Sequence, residues 1–162
     1  MSNPYVTGAA EADFEHAHRR AFVRDARALL GGPGNDLLPY HEVQRRFQPE
    51  GAVYRGLRAV PLDQIVGSMD RFEDFNRAFL PRRTGTKGRW TSIDRAHLED
   101  RTLPPVQLRK VGGVSFVQDG NHRVSVARGR GHRFIDAEVT EALVRAPLTP
   151  DMTPEDVLLQ AE

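Results

Sequence analysis

Residues 104–139 read PPVQLRKVGGVSFVQDGNHRVSVARGRGHRFIDAEV, and the fold follows from how that stretch divides. Val106–Lys110 and Val114–Val117 are short β-rich runs on either side of Gly112-Gly113, which predicts a hairpin. Asp119-Gly120 is a turn signal. A helix of about two turns carries Val124 and Ala127 and is stopped by Gly129 and Gly131. Beyond it, Phe134, Asp136 and Glu138 alternate with Ile135, Ala137 and Val139, the pattern of a half-buried strand. Hairpin, turn, helix and strand in one stretch predict a small sheet with a helix packed on it.

Outward from this stretch the chain is more helical. Phe14, Ala17, Ala21, Phe22, Ala26 and Leu29 predict one apolar stripe on a first helix, ended by Gly31-Gly32-Pro33-Gly34. LPYHEVQRRF, with Tyr40, Val43 and Phe47 on one side, predicts a second. These two helices could pack on the domain or pair with another copy, so a homodimer through them is a candidate partnership. Leu57–Val60 and Gln64–Val66 predict strand pieces about a bend at Pro61. Ser68 is placed to cap a helix carrying Met69, Phe72, Phe75 and Phe79, ended by Pro81. Trp90, Ile93 and His97 suggest another short helix. At the end, Thr153, Pro154, Glu155 and Asp156 spell a helix start. The predicted class is α+β, a small mixed sheet with flanking helices and an N-terminal helical extension. The expected division is a helical extension over 1–50, the sheet domain over 51–141, and a tail with a short helix over 142–162.

Composition narrows the function. The 162 residues hold 23 Lys and Arg against 22 Asp and Glu, a net charge of +1, so bulk charge points to neither nucleic acid nor membrane. There is no cysteine, which removes disulfides, thiolate metal sites and cysteine nucleophiles from these residues. No apolar run approaches ~18 residues, and the first residues lack a basic segment followed by an apolar one, so a cytoplasmic protein with no membrane partner is expected.

The turn at Asp119–Arg123 concentrates the chemistry. The first turn of a helix has unpaired N–H groups and about half a positive charge. Gly120 lets a ligand approach the backbone, Arg123 offers a planar fork of donors, and His122 adds another. Such a nest can hold one phosphate group. The same residues also fit an ordinary turn in which Asp119 caps the helix through the amides of Asn121 and His122. If a phosphate binds, Asp119 must instead orient Arg123 or hold a Mg²⁺ carried by the phosphates.

The stretch 104–139, with AVPLDQIVGS upstream, resembles the ParB/sulfiredoxin superfamily over about Leu57 to Thr140. The order strand, turn, GNHR, helix, Gly, strand is its specific part. The resemblance implies that fold and a nucleotide phosphate on the loop. In sulfiredoxins the loop reads Gly-Gly-Cys-His-Arg with a catalytic Cys; Asn121 stands at that position, so the resemblance excludes that chemistry here. In ParB proteins it reads Gly-Glu-Arg-Arg and binds the triphosphate of CTP; Gly120 and Arg123 match, while Asn121 and His122 depart. Other members with Asp-Gly-x-His-Arg loops act as nucleotide-dependent kinases or nucleases. About 20 residues follow Thr140, too few for the helix-turn-helix of partition proteins.

The expected site is therefore Gly120, Asn121, His122 and Arg123 on phosphate, with Asp119 and His122 as catalytic candidates. Its ligand is a nucleotide of the ATP or CTP class with Mg²⁺. Hydrolysis or phosphoryl transfer would proceed by positioning and charge neutralisation. The alternative is a DNA-associated ParB-like regulator or nuclease. Arg82, Arg83, Lys87 and Arg89 form a basic loop that could close over phosphates, touch nucleic acid, or stay solvated. Trp90 beside it could stack on a base or anchor the loop in the core. Asp63, Asp70 and Glu73 are candidate general bases if they converge on the turn. No two His stand at metal-ligand spacing with a carboxylate, so no protein metal site is expected.

Overall fold

A computed structural model describes residues 3–32, 34–71, 73–145 and 147–160. Six strands are described: β1 (Leu38–Pro39), β2 (Ala52–Pro61), β3 (Ile65–Ser68), β4 (Val106–Val111), β5 (Val114–Asp119) and β6 (Phe134–Ala142). The helices are α1 (Pro4–Leu29), α2 (Tyr40–Phe47), α3 (Lys87–Leu98), α4 (Asn121–Gly129) and α5 (Pro154–Gln160). The strands form one mixed sheet in the order β1-β3-β5-β4-β6-β2. The β4–β5 hairpin lies at its centre, with Val111 opposite Val114 across Gly112-Gly113. From β5 the chain runs through α4 to β6, which lies parallel to β4 on the other side of the hairpin. β3 lies parallel to β5, and β2 closes the far edge antiparallel to β6. The class is α+β, as the alternation in 104–139 implies.

Period-two patterning sorts the strands' side chains between two cores. Ile65, Val106, Leu108, Val117, Ala137 and Val139 face Val124 and Ala127 of α4. Val66, Val111, Val114, Phe116 and Ala142 face α2 and the C-terminal segment, through Tyr40, Val43, Leu148 and Val157. Both faces of the sheet are thus covered. A third cluster lies above α4, where Phe14, Ala17 and Ala21 of α1 meet Trp90 of α3 and Val126 of α4. Among the described residues no helix is long and apolar enough to cross a membrane.

Two sequence expectations need correction. Helix α1 starts at Pro4, where Asn3 accepts from the Tyr5 amide at 3.0 Å and Pro4 takes the first helical position. Its expected stripe divides between two faces: Phe14, Ala17 and Ala21 are buried, whereas Phe22 and Leu29 are 72% and 89% exposed. The second concerns the helix expected from Ser68 through Met69, Phe75 and Phe79. This segment is irregular, and Phe72 lies outside the described residues. Asn76 is the physical reason. Its side-chain oxygen accepts from the amides of Ala78 and Leu80 at 3.0 and 3.1 Å, competing with helical bonding. Phe79 takes a left-handed backbone conformation (φ 58°). The two phenylalanines still enter the core, with ring centroids 5.8 Å apart.

Candidate functional site

Parallel pairing of β3 with β5 brings their C-terminal ends out side by side, with Ser68 in register with Val117. Ligands of sheets with parallel strands are commonly met at such ends. After β3 the chain turns back on Ser68, whose Oγ accepts from the amides of Asp70 and Arg71 at 3.3 and 3.2 Å. After β5 it enters α4 through Gly120, at φ 106°. A Cβ there would lie 2.6 Å from a methyl of Val106, so backbone conformation and space both demand glycine. The two turns are joined. Ser68 Oγ donates to Asn121 Oδ1 at 2.7 Å, and Asn121 Nδ2 donates to Asp70 Oδ1 at 3.0 Å. Ser68 and Asn121 are both buried.

Among the described residues no side chain caps α4, and its first turn holds no acid. The amides of Asn121, His122 and Arg123 have no acceptor one turn back, because a helix leaves its first N–H groups unbonded. A left-handed residue followed by helical ones fans successive N–H groups toward a common point, the geometry of an anion nest. Asp119, the alternative cap, bonds elsewhere. His122 is half-buried, its ring edge-on to Phe75 at 5.4 Å. Burial holds its pKa below the usual 6.5; nearby Arg89 and Arg71 push the same way and Asp74 opposes them. The turn thus sets a half-buried imidazole beside a helix N-terminus, with Arg89 and Arg71, the latter 3.6 Å from Asp74, acting on it electrostatically.

The structure distributes the sequence candidates unevenly. Arg123 reaches back under the turn: its guanidinium donates to the carbonyls of Pro104 and Pro105 at 2.6 and 3.0 Å and to Asp119 at 3.0 Å. It secures the approach to β4 and orients Asp119. Among the described residues Asp119 and His122 share no hydrogen bond. Arg82 is spent on Asp25 and Asp36, Arg83 lies 3.2 Å from Glu73, and Lys87 lies 3.3 Å from Glu15. Arg89 makes no ion pair among the described residues, and of the four it is the one near His122. Trp90 is buried, donating to Ser125 Oγ at 3.0 Å. Of the three candidate bases, Asp70 joins the turn through Asn121, whereas Glu73 is paired with Arg83.

Ser68 as a link and Arg71 as a neighbour of His122 were missed from sequence. Their signal was the serine ending β3, readable only once β3 is placed parallel to β5. Asp70 and Asp119 are the carboxylates bonded to the turn's own residues. A divalent cation there would take its remaining ligands from a bound molecule's phosphates and from water, since among the described residues no three His, Asp or Glu cluster as ligands.

On the other side of Arg123 lies a cleft of about 350 Å³, lined by His97, Pro104, Arg123, His132 and Phe134 among others. Phe134 is 57% exposed, and the His97 and His132 rings meet edge-on at 5.5 Å. No family model and no curated protein matches the chain. One solved structure similar to it is a sulfiredoxin from Arabidopsis thaliana. The two are 15% identical, with a TM-score of 0.41, over 54% of this chain and 86% of that one.

Proposed function

We propose that the β5–α4 turn binds the phosphate groups of a nucleotide, as the resemblance to ParB/sulfiredoxin-like chains implies. The observation that carries this reading is the uncapped start of α4, entered through left-handed Gly120 and flanked by His122, Arg71 and Arg89. Unbonded amides and the helix dipole favour an anion at the start of α4, and Arg89 and Arg71, the latter also 3.6 Å from Asp74, add positive charge near His122. The neighbouring cleft falls within the range of small-molecule sites and offers Phe134 as an apolar wall. Mg²⁺ would arrive with the phosphates, and Asp70, bonded to Asn121, and Asp119, bonded to Arg123, are the carboxylates that could supply it a ligand. His122 is the group at the turn able to take or give a proton near neutrality. Any turnover would therefore be hydrolysis or transfer of a phosphoryl group, driven by positioning and charge neutralisation.

A nucleotide is favoured over DNA because three of the four cations in the 82–89 stretch already face carboxylates. Little free charge remains there for a polyanion.

Calorimetry with ATP, CTP and GTP in the presence of Mg²⁺ tests the reading. Arg123 serves the fold, so the informative variants are Arg71→Ala and Arg89→Ala. At least one triphosphate should bind, and each variant should weaken it about tenfold, the value of one charge-assisted contact. Absence of binding, or affinity unchanged in both variants, rejects the reading. Phosphate release in the same samples separates turnover from binding.

A further inference from the structure

Among the described residues the outer face of α1 is exposed, apart from an ion pair between Glu15 and Lys87 of α3 at 3.3 Å. The inner face of α1 packs Phe14, Ala17 and Ala21 onto α3 and α4. On the opposite side, positions 5, 8, 12, 15, 19, 22, 26 and 29 follow one another at alternate spacings of three and four. That is the spacing of a coiled-coil seam, apolar or small except for Glu15 and Arg19 at its centre, along a 26-residue helix about 39 Å long. Tyr5, Phe22 and Leu29 on this seam are 86%, 72% and 89% exposed, and space beyond Gly8 is open. The continuing Leu30 is 88% exposed. Bare apolar side chains, Tyr5 near one end and Phe22 and Leu29 toward the other, mark a surface suited to contact.

The seam reads the same from both ends. Folded about its midpoint near residue 17, it sets Tyr5 against Leu29, Gly8 against Ala26, Ala12 against Phe22 and Glu15 against Arg19. Each pairing is complementary: small residues meet at one layer, an alanine faces a phenylalanine at the next, and opposite charges meet at the centre. The whole helix carries the same asymmetry. Up to residue 18 it holds Glu11, Asp13 and Glu15 and no Lys or Arg; from 19 to 29 it holds Arg19, Arg20, Arg24 and Arg27 against Asp25. Antiparallel packing of two such helices sets acid against base and opposes their dipoles, whereas parallel packing sets like against like.

We infer that a second copy of this chain packs antiparallel along the outer face of α1, about a two-fold axis near residue 17, with Glu15 of each copy on the partner's Arg19. A two-fold contact requires this kind of self-complementary surface. An anionic lipid surface would match only the basic half of the helix.

Light scattering on the full chain after size exclusion, over a range of concentrations, tests the inference. The wild type should have twice the 18.2 kDa chain mass. Glu15→Arg and Arg19→Glu should each shift it toward one chain mass, and the double variant should restore the dimer, because the swap rebuilds both pairs. Circular dichroism should match wild type in both variants, since both side chains are exposed; Glu15→Arg also gives up the exposed pair with Lys87 at 3.3 Å, so its melt should fall slightly while that of Arg19→Glu should not. Should a charge variant not fold, Phe22→Ser, at an exposed position, should weaken the dimer in its place. A wild type of one chain mass, a dimer indifferent to the single substitutions, or a folded double variant that stays monomeric overturns the inference. So does a monomer that instead sediments with phosphatidylserine vesicles.

Discussion

Ser68 and Asn121 stand 53 positions apart in the chain, and Ser68 Oγ donates to Asn121 Oδ1 at 2.7 Å. The bond ties the end of β3 to the first residue of α4, which fixes Arg71 relative to His122. Both partners are buried, so neither can turn to water when the other is removed. Asn121→Ala should cost about 1–3 kcal/mol in urea unfolding, the penalty for stranding a buried polar partner. Asn121→Asp should cost more at neutral pH, because it sets a second carboxylate beside Asp70. Acid should relieve part of that loss, so the cost should shrink below the usual carboxylate range. An alanine variant of unchanged stability would show that the link contributes nothing.

Gly120→Ala tests whether the entry to α4 is strained for any other residue. The backbone is left-handed there, and the added methyl would press on Val106, which as a β-branched residue cannot swing aside. A loss of about 1–3 kcal/mol is expected from the conformation alone, with more from the contact. Phosphate affinity should fall further than stability, because the amides lose their common aim. Gly131→Ala is the control: its φ is also positive, at 75°, but nothing lies within 4 Å of its Cβ position.

The part of the fold legible in the sequence is the part with short-range causes. The β4–β5 hairpin, α4 and β6 follow from glycine turns and two-residue alternation, and their bounds shifted by a few residues. The 69–81 segment was not legible because Asn76 captures two amides with its side chain, and composition alone cannot show that an asparagine will do so. Apolar spacing on α1 predicts one stripe because a helical wheel shows which residues are apolar, not which side meets the core. At the site, the DGNHR turn was conspicuous. Arg71, Arg89 and Ser68 come to it through parallel pairing and through α3, at separations no local motif encodes.

His122 gives the site a pH dependence of defined sign. Burial first, then Arg89 and Arg71, hold its folded pKa below 6.5, so the folded chain favours neutral imidazole. Its contribution to stability is complete above pH 6.5 and declines as pH falls toward the depressed value. A bound phosphate reverses that preference by rewarding the cation. Phosphate or nucleotide affinity should therefore rise as pH falls below about 6.5, with proton uptake on binding. Calorimetry in buffers of different ionisation enthalpy measures the uptake, and His122→Gln should abolish it. Uptake that persists in the variant would assign the proton elsewhere.

Asp94 carries the opposite dependence, away from the site. It is fully buried on α3, accepts from Arg130 at 2.9 Å and lies beside Asp13 of α1. Burial, reinforced by the neighbouring Asp13 carboxylate, pushes its carboxyl up to about 7, with Arg130 opposing. In the unfolded chain the same group releases its proton near 3.8. Between those values the folded state binds the extra proton. The stability contributed by Asp94 is thus complete below the lower value and is lost as pH rises through 7. Asp94→Asn keeps an acceptor for Arg130 and removes the charge. The variant should match wild type near pH 4 and exceed it at pH 8, by on the order of 2 kcal/mol. Comparing the two chains by urea unfolding at both pH values cancels the contribution of His122. A variant that is less stable at pH 8 would mean that Asp94 is held ionised by Arg130, and that α1 docks through a true ion pair.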